Sequence, residues 1–246
     1  LPLSIFNQFA NYFNFYFLIS TIIFSIPQVS SITPSASIGP FAVLILISII
    51  REAFEDYKKA KYDKVYNNSK CLKYENGVLT ERKWKDVNVG DIIRVLKNEE
   101  IPADLIIFKS SDENGYSYLE TKNIDGETAL KVKESIGNSK DYFNENFINF
   151  KGELTVDIPN KDIYAFSGKL IIKSNDNKET KIFLKPDNML LRTGKLKNVE
   201  WNDGIVIYTG QDTKIMQNMK KYSYKLSFIS RIINVLVIYI LIFFFN

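Results

Sequence analysis

The sequence predicts a membrane protein with a helical hairpin, a mainly β domain in water and the start of a third membrane helix. The first observation behind this fold class is the charge distribution, because all 32 basic and 28 acidic residues lie between Arg51 and Arg231. The second is that the uncharged ends contain apolar runs, at residues 13–26, 38–50 and 232–245. The third is a series of short β-type segments in the charged middle.

The first two apolar runs are predicted to form a membrane hairpin over residues 1–50. Each run has about 13 to 14 residues, whereas a bilayer span needs roughly 20, so a buried helix of a soluble protein is an alternative for each. We favour spans because the flanking and connecting residues are uncharged and extend the runs. Basic residues after the second run place the next segment in the cytosol by the positive-inside bias; they are Arg51, Lys58, Lys59, Lys61 and Lys64.

Residues 51–66 are predicted to continue the second span as a polar helix, in which Glu55 and Lys59 are spaced for a favourable ion pair. This helix is either a solvated helix end or a stalk that leaves the bilayer. Residues 223–246 are predicted to be a second stalk and a truncated third span, so that residues 51–228 are cytosolic. We interpret the chain as a fragment, because it begins without methionine and ends inside an apolar run.

Residues 67–222 are predicted to form the β domain. A hairpin is indicated by Asn76 and Gly77, a favoured turn pair between two β-type segments. Many short strands with polar turns predict a compact barrel or sandwich. Residues 135–150, which are rich in asparagine, are predicted to be a surface loop. The other strand candidates are residues 92–95, 105–108, 117–119, 130–133, 163–174, 180–184, 189–192 and 204–208.

The composition excludes several classes of site. The sequence has no histidine and one cysteine, Cys71. Histidine bases, histidine metal sites, internal disulfides and zinc sites built on several cysteines are therefore excluded, and acid–base chemistry is left to carboxylates, lysines and tyrosines. We expect no metal site in this chain. The net charge of +4 gives no reason to expect nucleic acid as a partner.

Glu127 is the candidate catalytic residue. Asp125 and Gly126 before it are a common turn pair, so an ordinary hairpin turn is the simplest interpretation. A glutamate at the tip of a tight glycine turn is nevertheless exposed and rigidly aimed. Such a carboxylate suits a general base that enters the site of another domain. We therefore assign the candidate site to Asp125, Gly126, Glu127 and Thr128.

Several separated segments resemble, in the same order, the N-terminal part of the type IV P-type ATPases, the phospholipid flippases. The resemblance covers nearly the whole chain. Asp125 is informative, because cation pumps usually have threonine before the Gly-Glu pair. The resemblance implies that the β domain is an actuator domain with a distorted jelly-roll-like fold. The segments are residues 14–18 with 26–27, 50–58, 89–92, 101–105, 121–131, 190–192 with Trp201, and 206–214.

The resemblance also implies a mechanism. In the family, ATP with Mg²⁺ phosphorylates an aspartate in another domain, so both cofactors are expected to bind outside this chain. Glu127 matches the glutamate that orients and deprotonates the water that hydrolyses the aspartyl phosphate. Gly126 lets the backbone approach the phosphate, and Asp125 shapes the turn. Thr128 either hydrogen-bonds the loop or phosphate or is an ordinary turn hydroxyl.

The implied substrate is a phospholipid, whose headgroup is selected in the family near the far end of the first span. Many aminophospholipid flippases have paired glutamines where this chain has Phe24 and Ser25, so phosphatidylserine is not specifically indicated. Ser25 either contacts a headgroup or packs in the helix. Asn14, a polar residue inside an apolar run, either marks the lipid pathway or bonds at the helix end. A two-span accessory subunit is the partner typical of the family.

Three alternatives remain open. One is a regulatory, non-catalytic flippase-like module, for example fused to a nucleotide cyclase, which would lack the phosphorylated aspartate. Another is a cation-transporting P-type ATPase, whose activity would depend on metal rather than on lipid. The third is a membrane-anchored β domain that acts as a scaffold.

Overall fold

The computed structural model describes residues 12–26, 28, 33–136, 152–173, 179–219 and 228–245. The chain divides into two compact units, one of apolar helical segments and the other spanning Val65–Lys221. The α-helices in the described ranges are α1 (Tyr12–Phe24), α2 (Pro34–Asn67), α3 (Lys122–Asp125), α4 (Lys214–Asn218) and α5 (Phe228–Phe245).

Helix α2 is continuous through the predicted second apolar run and the predicted stalk. The change from apolar to charged sequence at Arg51 leaves the backbone helical, because the alanines, lysines and glutamates that follow are good helix formers. Arg51 also pairs with Glu55 one turn later, at 3.1 Å. Within the described ranges, α2 is the one helix that is long and apolar enough to cross a membrane, and α1 is a shorter apolar helix.

The helical unit exposes large apolar side chains. Helix α1 packs against α5, but much of the apolar surface on the three helices is uncovered. On α2, Ile47 is 58% exposed. Other exposed apolar residues of this unit include Phe15, Ile22, Val43, Leu44, Leu46, Ile50, Val235, Leu236 and Phe243.

The second unit is built from antiparallel strands, so the predicted mainly β character of the middle of the chain is confirmed. The strands are β1 (Lys70–Glu75), β2 (Val78–Lys83), β3 (Ile92–Leu96), β4 (Asp104–Ser110), β5 (Tyr116–Glu120), β6 (Leu130–Glu134), β7 (Gly152–Val156), β8 (Gly168–Lys173), β9 (Glu179–Leu184), β10 (Met189–Leu190), β11 (Lys195–Lys197) and β12 (Trp201–Tyr208). They form a six-stranded sheet in the order β10-β4-β12-β3-β1-β2, and two three-stranded sheets in the orders β11-β5-β6 and β7-β8-β9.

Strand β4 lies between two cores. Its Leu105 and Ile107 join one apolar cluster with Leu119 of β5 and Leu196 of β11. On the other face, its Ile106 and Phe108 join a second cluster with Leu170 and Ile172 of β8 and Leu184 of β9. Side chains alternate between the faces of a strand, so burial of both faces requires the uninterrupted apolar run seen here. The six-stranded sheet is therefore covered on both sides by smaller sheets.

The predicted hairpin is present. Strands β1 and β2 pair from Lys70 with Lys83 to Glu75 with Val78. Asn76 and Gly77 both have positive φ, at 50° and 81°, which is the backbone of a type I′ turn. An asparagine and a glycine are the residues that adopt this backbone with least strain.

Some predicted boundaries were wrong. The predicted strand at residues 163–174 begins only at Gly168, and residues 163–167 are irregular although Ile163 and Phe166 contact the second core. Residues 137–150 of the predicted surface loop lie outside the described ranges. Ile136, at its start, is instead buried, with its amide bonded to the Ile107 carbonyl at 2.9 Å. Strands β7 and β11 and helices α3 and α4 were not predicted.

Candidate functional site

The candidate loop connects the paired strands β5 and β6. It is longer than the tight hairpin turn considered from the sequence, and it contains the single helical turn α3. Gly126 ends α3 in the left-handed conformation, with φ of 78° and its amide bonded to the Lys122 carbonyl at 3.1 Å. The predicted need for glycine at this position is consistent with that backbone.

Two residues fasten the loop to the domain. Ile124 packs against the second core. Thr121 is 1% exposed, and its carbonyl accepts the amides of Ile124 and Asp125 at 2.7 Å and 3.1 Å. The base of the loop is therefore fixed by burial, whereas residues 125–130 lie at the surface.

The Asp125 carboxylate organises the loop. It accepts hydrogen bonds from the Thr121 hydroxyl at 3.0 Å and from the Glu127 amide at 3.0 Å, and it forms an ion pair with Lys131. Desolvation alone would raise its pKa, but the hydrogen bonds from Lys131, Glu127 and Thr121 outweigh it, so the pKa of Asp125 is lowered. The carboxylate is charged at neutral pH and acts as a structural acceptor.

Glu127 combines a fixed main chain with an exposed side chain. Its amide is held by Asp125, while its side chain is 58% exposed. Lys131 Nζ lies 3.4 Å from Glu127 Oε2. The carboxylate therefore faces water and is accessible to a partner, with a cation beside it. The Thr128 side chain is also at the surface, and it makes no hydrogen bond with another residue in the described part of the chain.

Lys131 was not singled out as a site residue from the sequence. Its ammonium group contacts Asp125, Glu127 and the Tyr164 hydroxyl, the last at 3.1 Å, and lies 5.0 Å from the centre of the Tyr164 ring. Desolvation alone would lower the pKa of Lys131. The net shift is upward, because Lys131 donates hydrogen bonds to Asp125 and Tyr164 and is attracted by the Asp125 charge. The sequence feature that could have pointed to Lys131 is its position four residues after Glu127, within the same segment 121–131.

Tyr164 belongs to an irregular segment that buried Lys214 holds in place. Lys214 is fully buried, and its ammonium group donates to Asn160 Oδ1 and to the carbonyls of Asp162 and Ala165 at 2.9, 2.9 and 2.6 Å. These acceptors lie on both sides of Tyr164 in the chain. The irregular segment therefore has a fixed path that periodicity cannot reveal.

The predicted substrate residues lie elsewhere, in the helical unit. Phe24 is the last residue of α1 and is 41% exposed. Ser25 follows it, and its hydroxyl donates to the Thr21 carbonyl at 2.6 Å. Asn14 lies 11 residues before Ser25, about 16 Å away along a helix axis, so the structure does not bring it together with the other two.

A buried polar residue in α5 was missed by the sequence interpretation. Asn234 is 8% exposed, and its Oδ1 has no hydrogen-bond partner among the described residues. An asparagine inside the third apolar run was the signal for it. The ranges described hold no group of three or more acidic or cysteine side chains arranged for a metal ion.

Comparisons with known proteins agree with this organisation. The sequence model of the P-type ATPase actuator domain matches residues 65–173. The chain is 37% identical over 245 residues to phospholipid-transporting ATPase FetA of Mus musculus, covering 99% of this chain and 20% of that protein. It is 38% identical over 241 residues to phospholipid-transporting ATPase ID of Homo sapiens, covering 98% and 20%. It is 37% identical over 237 residues to phospholipid-transporting ATPase DRS2 of Saccharomyces cerevisiae, covering 95% and 17%. The chain spans about one fifth of the length of these relatives.

Proposed function

We propose that the chain is part of an ATP-driven phospholipid translocase, because it belongs to the P-type ATPases and matches their phospholipid-transporting members along nearly its whole length. In this proposal, Glu127 is the general base that promotes hydrolysis of an aspartyl phosphate. The phosphate forms on a domain outside this chain, which also binds ATP and Mg²⁺. The 246 residues alone are then not an ATPase.

The observation that carries the proposal is the combination found at Glu127. Its main chain is held by the Asp125 carboxylate, yet its side chain is 58% exposed. A general base must reach the proton that it removes, and a base that serves another domain must project from its own surface. Gly126 has open space around the position of a Cβ atom, so a phosphate can approach the backbone closely. Thr128 beside it is a candidate for a contact with that phosphate.

We further propose that α1 and α2 form a membrane hairpin within residues 1–50, and that α5 is part of a third span. The support is their uncovered apolar surface, for which lipid is a suitable environment. Residues 51–66 then form a cytosolic stalk, residues 67–222 an actuator domain with jelly-roll-like connections, and residues 223–246 a stalk with the third span. Residues 51–228 face the cytosol in this arrangement.

The substrate in this proposal is a phospholipid, and the protein acts within a membrane. Ser25, Phe24 and Asn14 are candidate contacts for it along α1. The Ser25 hydroxyl already bonds to the Thr21 carbonyl, but it can accept a further hydrogen bond from a headgroup donor. A two-span accessory subunit is proposed as the protein partner.

The test is the lifetime of the phosphoenzyme in the full-length protein that carries this chain. With Glu127→Gln, phosphorylation by ATP should persist and the decay of the phosphoenzyme should slow roughly 10²–10⁴-fold, the usual contribution of a general base. Glu113→Gln, at an exposed carboxylate elsewhere in the domain, is the matched control. Normal decay in the Glu127 variant would refute the proposed role, and turnover that follows metal ions rather than lipid would refute lipid transport.

A further inference from the structure

We propose that Lys131 and Tyr164 are positioning residues for Glu127, so that the catalytic unit includes the irregular segment around Tyr164 as well as the loop itself. This inference rests on the proposed role of Glu127. It assigns a role to a lysine at the start of β6 and to a tyrosine 33 residues further along the chain, neither of which is among the four residues of the candidate site.

Lys131 connects the two carboxylates of the loop. Its ammonium group is paired with Asp125, and Glu127 Oε2 lies 3.4 Å away. The Lys131 and Asp125 side chains are only 24% and 15% exposed, against 58% for Glu127. The sheltered pair therefore presents a fixed cation to the exposed carboxylate. Asp125 thus fixes Glu127 twice, through its amide and through the cation beside its side chain.

Tyr164 also contacts the Lys131 ammonium group. Its hydroxyl accepts a hydrogen bond from Lys131 at 3.1 Å, and its ring lies within cation–π distance. The path of the main chain at Tyr164 is fixed by the Asp162 carboxylate, which accepts its amide at 3.0 Å, and by the three hydrogen bonds from buried Lys214. Lys131 is therefore held between two segments that are each fastened to the domain.

The geometry favours a positioning role over a simple contribution to stability. An exposed ion pair such as Lys131 with Glu127 contributes little by itself, because two flexible side chains lose freedom and water screens the charges. Here one partner is already ordered by Asp125 and Tyr164, so only Glu127 has rotamer freedom left to lose. The ion pair with Lys131 therefore restricts the direction in which the Glu127 carboxylate points, and the orientation of the attacking water depends on that direction.

The experiment measures phosphoenzyme decay in the full-length protein for Lys131→Met and Tyr164→Leu. Each change should slow decay roughly 3–30-fold, since a catalytic group displaced by about 1 Å loses up to about 10²-fold. Lys131→Arg keeps the cation and should recover most of the rate. Lys181→Met on β9 and Tyr116→Leu on β5 remove an exposed lysine and an exposed tyrosine outside the site and should leave the decay unchanged.

A second set of variants separates positioning from general damage to the fold. When Glu127→Gln is already present, Lys131→Met and Tyr164→Leu should cause no further slowing, because they act through the carboxylate that is gone. Equal slowing in both backgrounds, or unchanged decay in the single variants while Glu127→Gln remains slow, would overturn the inference alone. Unchanged decay in Glu127→Gln would overturn the proposed function, and the inference with it.

Discussion

The Asp104 carboxylate accepts the main-chain N–H of Lys214 at 2.7 Å, and so joins the start of β4 to the start of α4 across 110 residues of sequence. Its other oxygen accepts the Arg192 amide at 2.8 Å. Asp104 is 0% exposed. Burial raises its pKa from 3.8 to about 6, although the two amides and the nearby cations oppose the shift.

This shift predicts a pH dependence of stability. Between pH 4 and pH 6 the folded protein holds a proton on Asp104 that the unfolded chain has released, so the contribution of this group to stability falls as the pH rises through that window. The two-unit difference corresponds to roughly 2–3 kcal/mol. Asp104→Asn should remove this pH-dependent part, as measured by urea unfolding of the detergent-solubilised protein with Trp84 and Trp201 fluorescence.

Asp125→Asn is the control with the opposite sign. The pKa of Asp125 is lowered in the folded state, so its contribution is present above the unfolded pKa and is lost as the pH falls. The stability difference from the unmodified protein should therefore grow with rising pH for Asp125→Asn and shrink for Asp104→Asn. Parallel pH profiles for the two variants would contradict this assignment.

Two glycines should respond to alanine for different reasons. Gly126 has φ of 78° and open space around the added Cβ, so Gly126→Ala should destabilise only by the strain of the left-handed backbone, about 1–2 kcal/mol. At Gly204 of β12 the added Cβ would lie 2.8 Å from the Ile106 carbonyl oxygen. Gly204→Ala must therefore shift β4 or β12 and should destabilise more, about 2–3 kcal/mol.

Chemical unfolding of both variants at neutral pH measures this difference. Slower phosphoenzyme decay is expected for Gly126→Ala, because a methyl group enters the path of the phosphate. It is not expected for Gly204→Ala at temperatures where that variant stays folded. Equal loss of stability at the two positions would count against the packing at Gly204.

Lys214→Met tests the buried ammonium group. Methionine fills similar space but leaves three acceptors without their donor, on Asn160, Asp162 and Ala165. The three hydrogen bonds are only partly buried, and each acceptor that loses its charged donor is unfavourable, so we expect a loss of about 2 kcal/mol in the free energy of unfolding. Lys181→Met, at an exposed position on β9, should change it by less than about 0.5 kcal/mol. A similar loss in the free energy of unfolding for both variants would contradict the structural role of Lys214.

Membrane insertion of α2 should depend on which half of the helix is changed. Ile47→Lys places a charge in the apolar half and should disfavour insertion by about 2.5–3.5 kcal/mol. Tyr62→Lys, in the charged half of the same helix, should have little effect, although Tyr62 is 75% exposed compared with 58% for Ile47. Glycosylation mapping of the inserted chain distinguishes the two. Equal insertion of both variants would exclude residues 38–50 from the bilayer.

Much of the β unit was predictable because its residues obey local rules. The apolar run at residues 105–108 predicted the strand that is found as β4, and Asn76 with Gly77 predicted the turn between β1 and β2. The exposed Glu127 also followed from its place after a glycine. In these cases the information lies within a few residues of the feature itself.

The rest depends on specific side-chain contacts, most of them between residues that are distant in sequence. Residues 163–167 were predicted to be part of a strand, but Lys214 donates hydrogen bonds to the Ala165 carbonyl within this segment and to the Asp162 carbonyl just before it. The turn α3 is too short to be stable alone, and it exists because Ile124 reaches the second core and Asp125 meets Lys131. The contacts of Lys214 and those of α3 do not produce a periodic pattern of apolar residues, so the sequence alone does not indicate them.

The central place of β4 has a consequence for synthesis on the ribosome. Its neighbours in the sheet, β10 and β12, begin only at Met189 and Trp201. At translation rates of roughly 5–20 residues per second, this apolar strand waits on the order of 5–20 s for its partners. Neither face of the strand can be covered fully before then. The nascent chain therefore passes through a period in which its own structure does not yet cover the apolar side chains of β4, and such exposed surface is prone to aggregation.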